Sequence, residues 1–210
     1  MKKSKQAELI SQMSDAEVQK SLYVTQFALL TISCLFGIFL FKDLSSFFAI
    51  FHASAYHLLL YGVGGGLAVV LVDLIFMRWL PAKYYDDGGI NERLFANQSV
   101  AKIAAMAFIV AVSEEIFFRG ILQTAFGLAA ASLIFALIHV RYLSQWFLAI
   151  NVILLSFWIG LIYEWTSSVT VTIVVHFIID FLLGLVIRHK ARQKALFNQE
   201  GIDDDHGPLS

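Results

Sequence analysis

Between Tyr142 and Tyr163 the chain runs 22 residues without a charged side chain, and between Tyr23 and Phe41 it runs 19. A helix needs roughly 20 such residues to cross the hydrocarbon core of a bilayer. Hydrophobic residues make up 59% of the 210, against roughly 45–50% in a soluble domain. Six spans of about 20 residues would use about 120 residues, nearly all of that apolar content. Charged residues are only 15%, where about 25% is usual. A soluble globule, a disordered chain and a disulfide scaffold are excluded. The net charge of −1 gives no pull toward nucleic acid. Cys34 stands alone, so no internal disulfide or cysteine zinc cluster can form, and its apolar run predicts a small buried hydrophobe. One domain is expected, because nothing outside the spans can build a second core.

The expected class is all-α: a polytopic membrane bundle of about six transmembrane helices around an intramembrane polar cavity. Residues 1–22 form a polar N-terminal segment, and Tyr23–Phe41 reads as a retained anchor rather than a cleaved signal. Leu44–Phe51 reads as interfacial and Ser54–Leu80 as the second span. The glycines at 62, 64, 65 and 66 lack the Lys-Ser/Thr of a phosphate loop. Gly62 and Gly66 have the small-xxx-small spacing of close helix packing, which serves an internal contact or a homo-oligomer equally well. Asp73 reads as an interfacial residue reaching toward headgroups. Asp86-Asp87-Gly88-Gly89 marks the main loop, between Pro81 and Asn97. Four further spans are expected at Ser99–Gln123, Thr124–Val140, Tyr142–Tyr163 and Trp165–Ile187. The bundle thus covers 23–190, with a motif core at 100–186, and 191–210 is expected to be a mobile cytoplasmic tail.

With the N terminus inside, 13 of the 15 Lys and Arg residues fall on cytoplasmic segments, Arg141 among them. Lys42 falls outside and Arg119 within the membrane. Both termini are therefore expected in the cytoplasm.

A charge at mid-bilayer costs about 2.5–3.5 kcal/mol on insertion scales, so such residues usually face a cavity and mark function. Glu114, Glu115, Arg119, His139, His176 and Asp180 all lie in apolar segments. Glu115 and Arg119, four apart with Glu first, have the favourable order for an ion pair along one helix face. Glu114 is rotated about 100° away, which leaves it for general base and acid work. His139 follows Phe135 by one turn, and Asp180 follows His176 by one turn, where it can fix the imidazole's orientation and tautomer. Two acids and two histidines can hold a water and activate it against an amide carbonyl. Singly, each has a blander reading: Glu115–Arg119 as a structural clip, His139 as interfacial beside Arg141, His176–Asp180 as a packed polar pair, and Phe135 as core or cavity wall. Their convergence in one small bundle favours function.

Ser113-Glu114-Glu115-Ile116-Phe117-Phe118-Arg119-Gly120 resembles the EExxxR motif of the CPBP family of intramembrane proteases. That family includes the CAAX prenyl endopeptidases and bacteriocin-immunity relatives. Phe135 to His139 is similar to its FxxxH motif, and His176 to Asp180 to its HxxxN/D motif, all in family order. The resemblance implies peptide-bond hydrolysis in or near the bilayer, on a membrane-associated or lipidated peptide or protein. By that analogy Glu114 and His139 hold and activate the water. His176 and residue 180 stabilise the oxyanion, while Glu115, Arg119 and Phe135 support the site. Many relatives carry Asn at position 180; Asp180 donates only when protonated, which favours a role in orienting His176. The family is often described as metalloproteases. A zinc ion held by His139, His176 and Glu114 is one possibility. With no HExxH in the chain, a metal-independent water activation is slightly favoured.

Two other functions compete. A catalytically silent scaffold or regulator on the same fold would bind other membrane proteins. A proton or solute transporter would carry an inverted repeat, and none is apparent. The resemblance points to the bacterial plasma membrane, with lipids and a peptide or membrane-protein substrate as partners.

Overall fold

The computed structural model describes residues 12–85, 87–139, 142 and 145–203. Lys2, Lys3, Lys5 and Arg141 of the charge pattern lie outside the described residues, as do 204–210 of the expected tail. The described elements are all helical. α1 (Asp15–Leu40) begins eight residues before the uncharged run, because Ser14 and Glu17 form a reciprocal capping box that satisfies its first N–H groups. α2 (Leu44–Ala49) is the short segment expected after the first span, capped by Asp43. The Ser46 backbone N–H, 2.7 Å from Asp43 Oδ1, holds that exposed carboxyl below the usual carboxylate range. α3 (Ala55–Trp79) starts on a Ser54 cap and contains a π-helical stretch at Leu58–Gly64. The loop region carries α4 (Ile90–Phe95). α5 (Val100–Glu115) passes through a π-helical segment, Ile116–Gln123, into α6 (Thr124–Ile138). α7 (Trp146–Thr166) and α8 (Val169–Asp203) complete the chain, and α8 carries the first part of the expected tail as helix.

Five helices among the described residues are long and apolar enough to cross a membrane, where six were expected. The difference lies at Val100–Ile138, one continuous element in place of two spans. It is not straight. Gly127 has φ 81 and ψ 171 inside it, a backbone conformation essentially restricted to glycine. The rings of Phe118 and Phe135 sit 4.8 Å apart, whereas 17 residues of straight helix would separate them by about 25 Å. The element is therefore a hairpin. Its returning arm, residues 128–138, is about 16 Å long, half the hydrocarbon thickness of about 30 Å, so it does not count as a span of its own.

The termini of these passes can be placed from hydrogen bonds. Arg93 Nε meets Asp15 Oδ1 at 2.7 Å, Lys102 Nζ meets Gln19 Oε1 at 2.8 Å, and Arg188 Nε meets the Gln98 carbonyl at 2.7 Å. The start of α1, the loop before α5 and the distal half of α8 thus share one end of the bundle. At the other end the Val169 N–H donates to Ile50 and the Thr170 hydroxyl to Phe51.

Val171, Val175 and Ile179 of α8 pack on Ile159 and Ile162 of α7 and Val70 of α3. The two spaced glycines make an internal contact: a Cβ on Gly62 or Gly66 would press on Val174 or Ile178 of α8. Phe27, Phe39 and Leu71 point outward, where lipid replaces water as the surrounding medium. Cys34 is exposed on the same outward surface. The expected burial fails because an apolar run in a membrane helix does not distinguish the lipid face from the core.

Candidate active site

The last turn of α5 and the π-helical segment after it carry Glu114, Glu115 and Arg119. π-Helical turns inside α-helices are frequent at functional sites. Glu115 and Arg119 have no solvent exposure. Arg119 Nε donates to Glu115 Oε2 at 3.2 Å, one Nη to Ser156 Oγ at 3.1 Å and the other to Gln123 Oε1 at 3.4 Å. Gln123 in turn donates to the Gly160 carbonyl and Glu164 Oε1. The sequence anticipated the ion pair; Gln123 is one turn further along the same helix, and Ser156 and Gly160 are partners only the fold supplies.

The second oxygen of Glu115 has a partner the sequence reading missed. Glu115 Oε1 lies 2.8 Å from His176 Nδ1, while Asp180 Oδ2 lies 3.5 Å from His176 Nε2. His176 thus sits between two carboxylates. Donation to both at once requires a proton on each ring nitrogen. Glu115 is the closer orienting group, and Asp180 takes the longer contact, on the ring edge that borders the cavity.

Glu114 is nearly buried and is not without a partner: Gln26 Nε2 of α1 donates to its Oε1 at 3.3 Å. A carboxylate only accepts, which turns the Gln26 NH2 toward Glu114 and its Oε1 toward the Ser113 hydroxyl, 2.6 Å away and also 2.6 Å from the Ile109 carbonyl. Gln26 is buried in the first span. A primary amide in an otherwise apolar run was the available signal for it.

His139 ends α6. Its Nδ1 is 2.7 Å from the Phe135 carbonyl. A carbonyl only accepts, so Nδ1 carries the proton, and in the neutral ring Nε2 is the basic nitrogen. Phe135 stacks on His139 with centroids 4.4 Å apart, meets His176 edge-on at 6.4 Å and lies 5.7 Å from the Arg119 guanidinium carbon. The buried ring joins all three motifs.

Glu114, His139, His176 and Asp180 border one cavity of about 1370 Å³. Asp73 borders it too, instead of reaching for headgroups, and Asn151 Nδ2 donates to its Oδ1 at 3.1 Å. For a metal, His139, His176 and Glu114 were the candidates. His139 keeps Nε2 available, since a Nδ1–carbonyl bond is one a metal-bound imidazole commonly makes, but both ring nitrogens of His176 face carboxylates. No group of three His, Cys, Asp or Glu among the described residues is arranged to hold an ion. The donor set does not fit a metal in this arrangement.

Apolar helices enclosing a cavity bordered by Glu114, two histidines, Asp73 and Asp180 define a polar site within a bundle of membrane-type helices. The profile of the type II CAAX prenyl endopeptidase Rce1-like family matches residues 96–182, which contain all three motifs. The chain is 40% identical to the uncharacterized protein YpbD of Bacillus subtilis (strain 168) over 173 residues, 81% of this chain and 92% of that one. The chain belongs to the Rce1-like, CPBP family of type II CAAX prenyl endopeptidases. No solved structure matches it. The matched family is described by its endopeptidases, and the expected links to bacteriocin immunity and to metalloproteases find no support in it.

Proposed function

We propose that this protein is an intramembrane endopeptidase that hydrolyses a peptide bond of a membrane-associated or lipidated peptide or protein. The observation that carries the reading is the meeting of Glu114, His139 and His176, from three separate helical segments, around one cavity. Family membership supports it.

In this mechanism a water lies between the Glu114 carboxylate and His139 Nε2. Glu114 takes a proton as the water oxygen attacks the scissile carbonyl carbon. The carbonyl π electrons move onto oxygen, and that oxyanion accepts a hydrogen bond from His176 Nε2, a stabilisation of the oxyanion-hole kind. Glu115 holds the opposite nitrogen, and Asp180 balances the charge of the doubly protonated ring. The C–N bond then breaks and Glu114 returns its proton to the leaving amine. One water is consumed, and one carboxyl and one amine are released. No step passes through a metal.

The same proposal has the protein in the bacterial plasma membrane with both termini cytoplasmic. The basic residues Arg78, Lys83, Arg93 and Lys102 in and around the loop region, with Arg188 and Lys190, support that orientation. Wild type and Glu114→Ala are purified in detergent and given a quenched-fluorescent peptide library. Cleavage by wild type that vanishes in the variant is the expected result. Equal cleavage by both overturns the assignment of Glu114, and full cellular function of Glu114→Ala favours the silent scaffold.

A further inference from the structure

The mechanism does not use every acid on the cavity. Asp73 is half-buried in α3 and faces the same cavity as the catalytic groups. Asn151 Nδ2 holds one of its oxygens, and no cation pairs with it among the described residues. An acid at membrane depth that the protein does not neutralise is expensive, and such residues mark substrate pathways. With Asn151's NH2 committed to Asp73 Oδ1, the pair presents acceptors to the cavity: the second carboxylate oxygen and the Asn151 carbonyl oxygen. What complements it is a donor carrying positive charge.

Its depth follows from helix register. Gly62 packs on Val174 and Gly66 on Ile178, so α3 and α8 run parallel at a constant offset. Met77 Sδ and Lys190 Nζ, 3.8 Å apart, keep that offset. Asp73 is then level with Leu185. At 1.5 Å per residue this is about 7.5 Å beyond Asp180 and about 13.5 Å beyond His176, toward the loop end. An extended peptide advances about 3.3 Å per residue. A substrate held at His176 therefore brings a side chain three or four residues from its scissile bond to Asp73.

Resting on the protease reading above, we infer that Asp73 and Asn151 form a specificity subsite for a lysine or arginine side chain three or four residues from the cleaved bond. Asp73 supplies the counter-charge, and Asn151 fixes its carboxylate. Asp73 is a specificity residue and takes no part in bond breaking.

The test uses the full chain in phosphatidylcholine nanodiscs. The probes are fluorescein-labelled Leu/Ala 15-residue peptides with one Lys, or one norleucine, at each successive position. Binding is read by anisotropy and cleavage in parallel. Wild type is expected to bind the Lys peptide at one favoured position at least tenfold more tightly than its norleucine twin. Asp73→Asn, of the same shape, is expected to lose that preference, and Asp73→Glu to keep it. Wild type without a Lys preference overturns the inference, with no variant needed; a preference retained in Asp73→Asn overturns it too. Cleavage without preference removes the subsite and leaves the protease. Preference in binding with no cleavage of any peptide removes the protease reading and leaves a cation-selective cavity.

Discussion

The adjacent glutamates of the first motif should separate stability from activity. Glu115 is fully buried and bonded to Arg119 at 3.2 Å and His176 at 2.8 Å. In Glu115→Gln the amide oxygen can still accept from Arg119, but no charge opposes the guanidinium. The new NH2 also faces His176 Nδ1, which can accept it only by giving up its own proton. Removing one partner of a buried pair costs about 3–5 kcal/mol. At about 2–4 °C per kcal/mol for a chain of this size, the midpoint should fall by about 6–20 °C. Glu114 makes a single 3.3 Å bond to Gln26, and its Gln variant still accepts that bond. Glu114→Gln leaves no buried charge unpaired and should lower its midpoint by less than Glu115→Gln does, yet lose cleavage. The assay is thermal unfolding of detergent-purified protein by size-exclusion fluorescence, paired with peptide cleavage. Equal losses of stability in the two variants, or a larger loss at Glu114, would refute the division of labour.

Gly127→Ala forces a side chain onto φ 81 with open space around it; the cost is backbone strain of about 1–3 kcal/mol, read as a lower unfolding midpoint. Ser156→Ala removes an acceptor from the buried Arg119 and should cost about 1–3 kcal/mol by the same measurement. Phe135→Ala deletes the ring stacked on His139, with a loss of about 3–5 kcal/mol and a fall in kcat rather than a rise in KM. Because no donor set among the described residues fits an ion, cleavage should persist in excess chelator; full loss restored by zinc alone would contradict that reading.

The apolar runs gave the α2 segment and the second span within a residue or two, because length and charge alone decide what enters a bilayer. They did not reveal the fold-back. Gly127 sits among apolar neighbours with no other turn residue beside it, so Thr124–Val140 reads as a full pass. The motif spacings gave the Glu115–Arg119 pair, which is local along the helix. They could not give Glu115–His176, separated by 61 residues, because long-range partners depend on how helices pack. Gln26, Ser156 and Asn151 were visible as polar residues in apolar runs, the same signal that singled out the charged ones. Asp73 was misplaced for a related reason: its distance along the span suggested the interface, while its partner on α7 turns it into the cavity.

The fold-back explains why the site exists at this depth. Along a straight 39-residue helix, the first and second motifs would be separated by most of a membrane thickness. Reversal at Gly127 returns Phe135 to Phe118 and Arg119. The short arm then stops at His139 within the bilayer, because 11 residues do not reach the far side. An α-helix ending inside a membrane leaves its last carbonyls without helical partners. Here the His139 ring takes one of them, the Phe135 carbonyl. The same bond that satisfies the helix end sets the tautomer and turns Nε2 into the free base. A full-length span would have buried that carbonyl in its own helix and carried position 139 toward the interface. The truncated arm is therefore the structural cause of a basic imidazole at membrane depth, on the cavity that Glu114 and Asp180 also border.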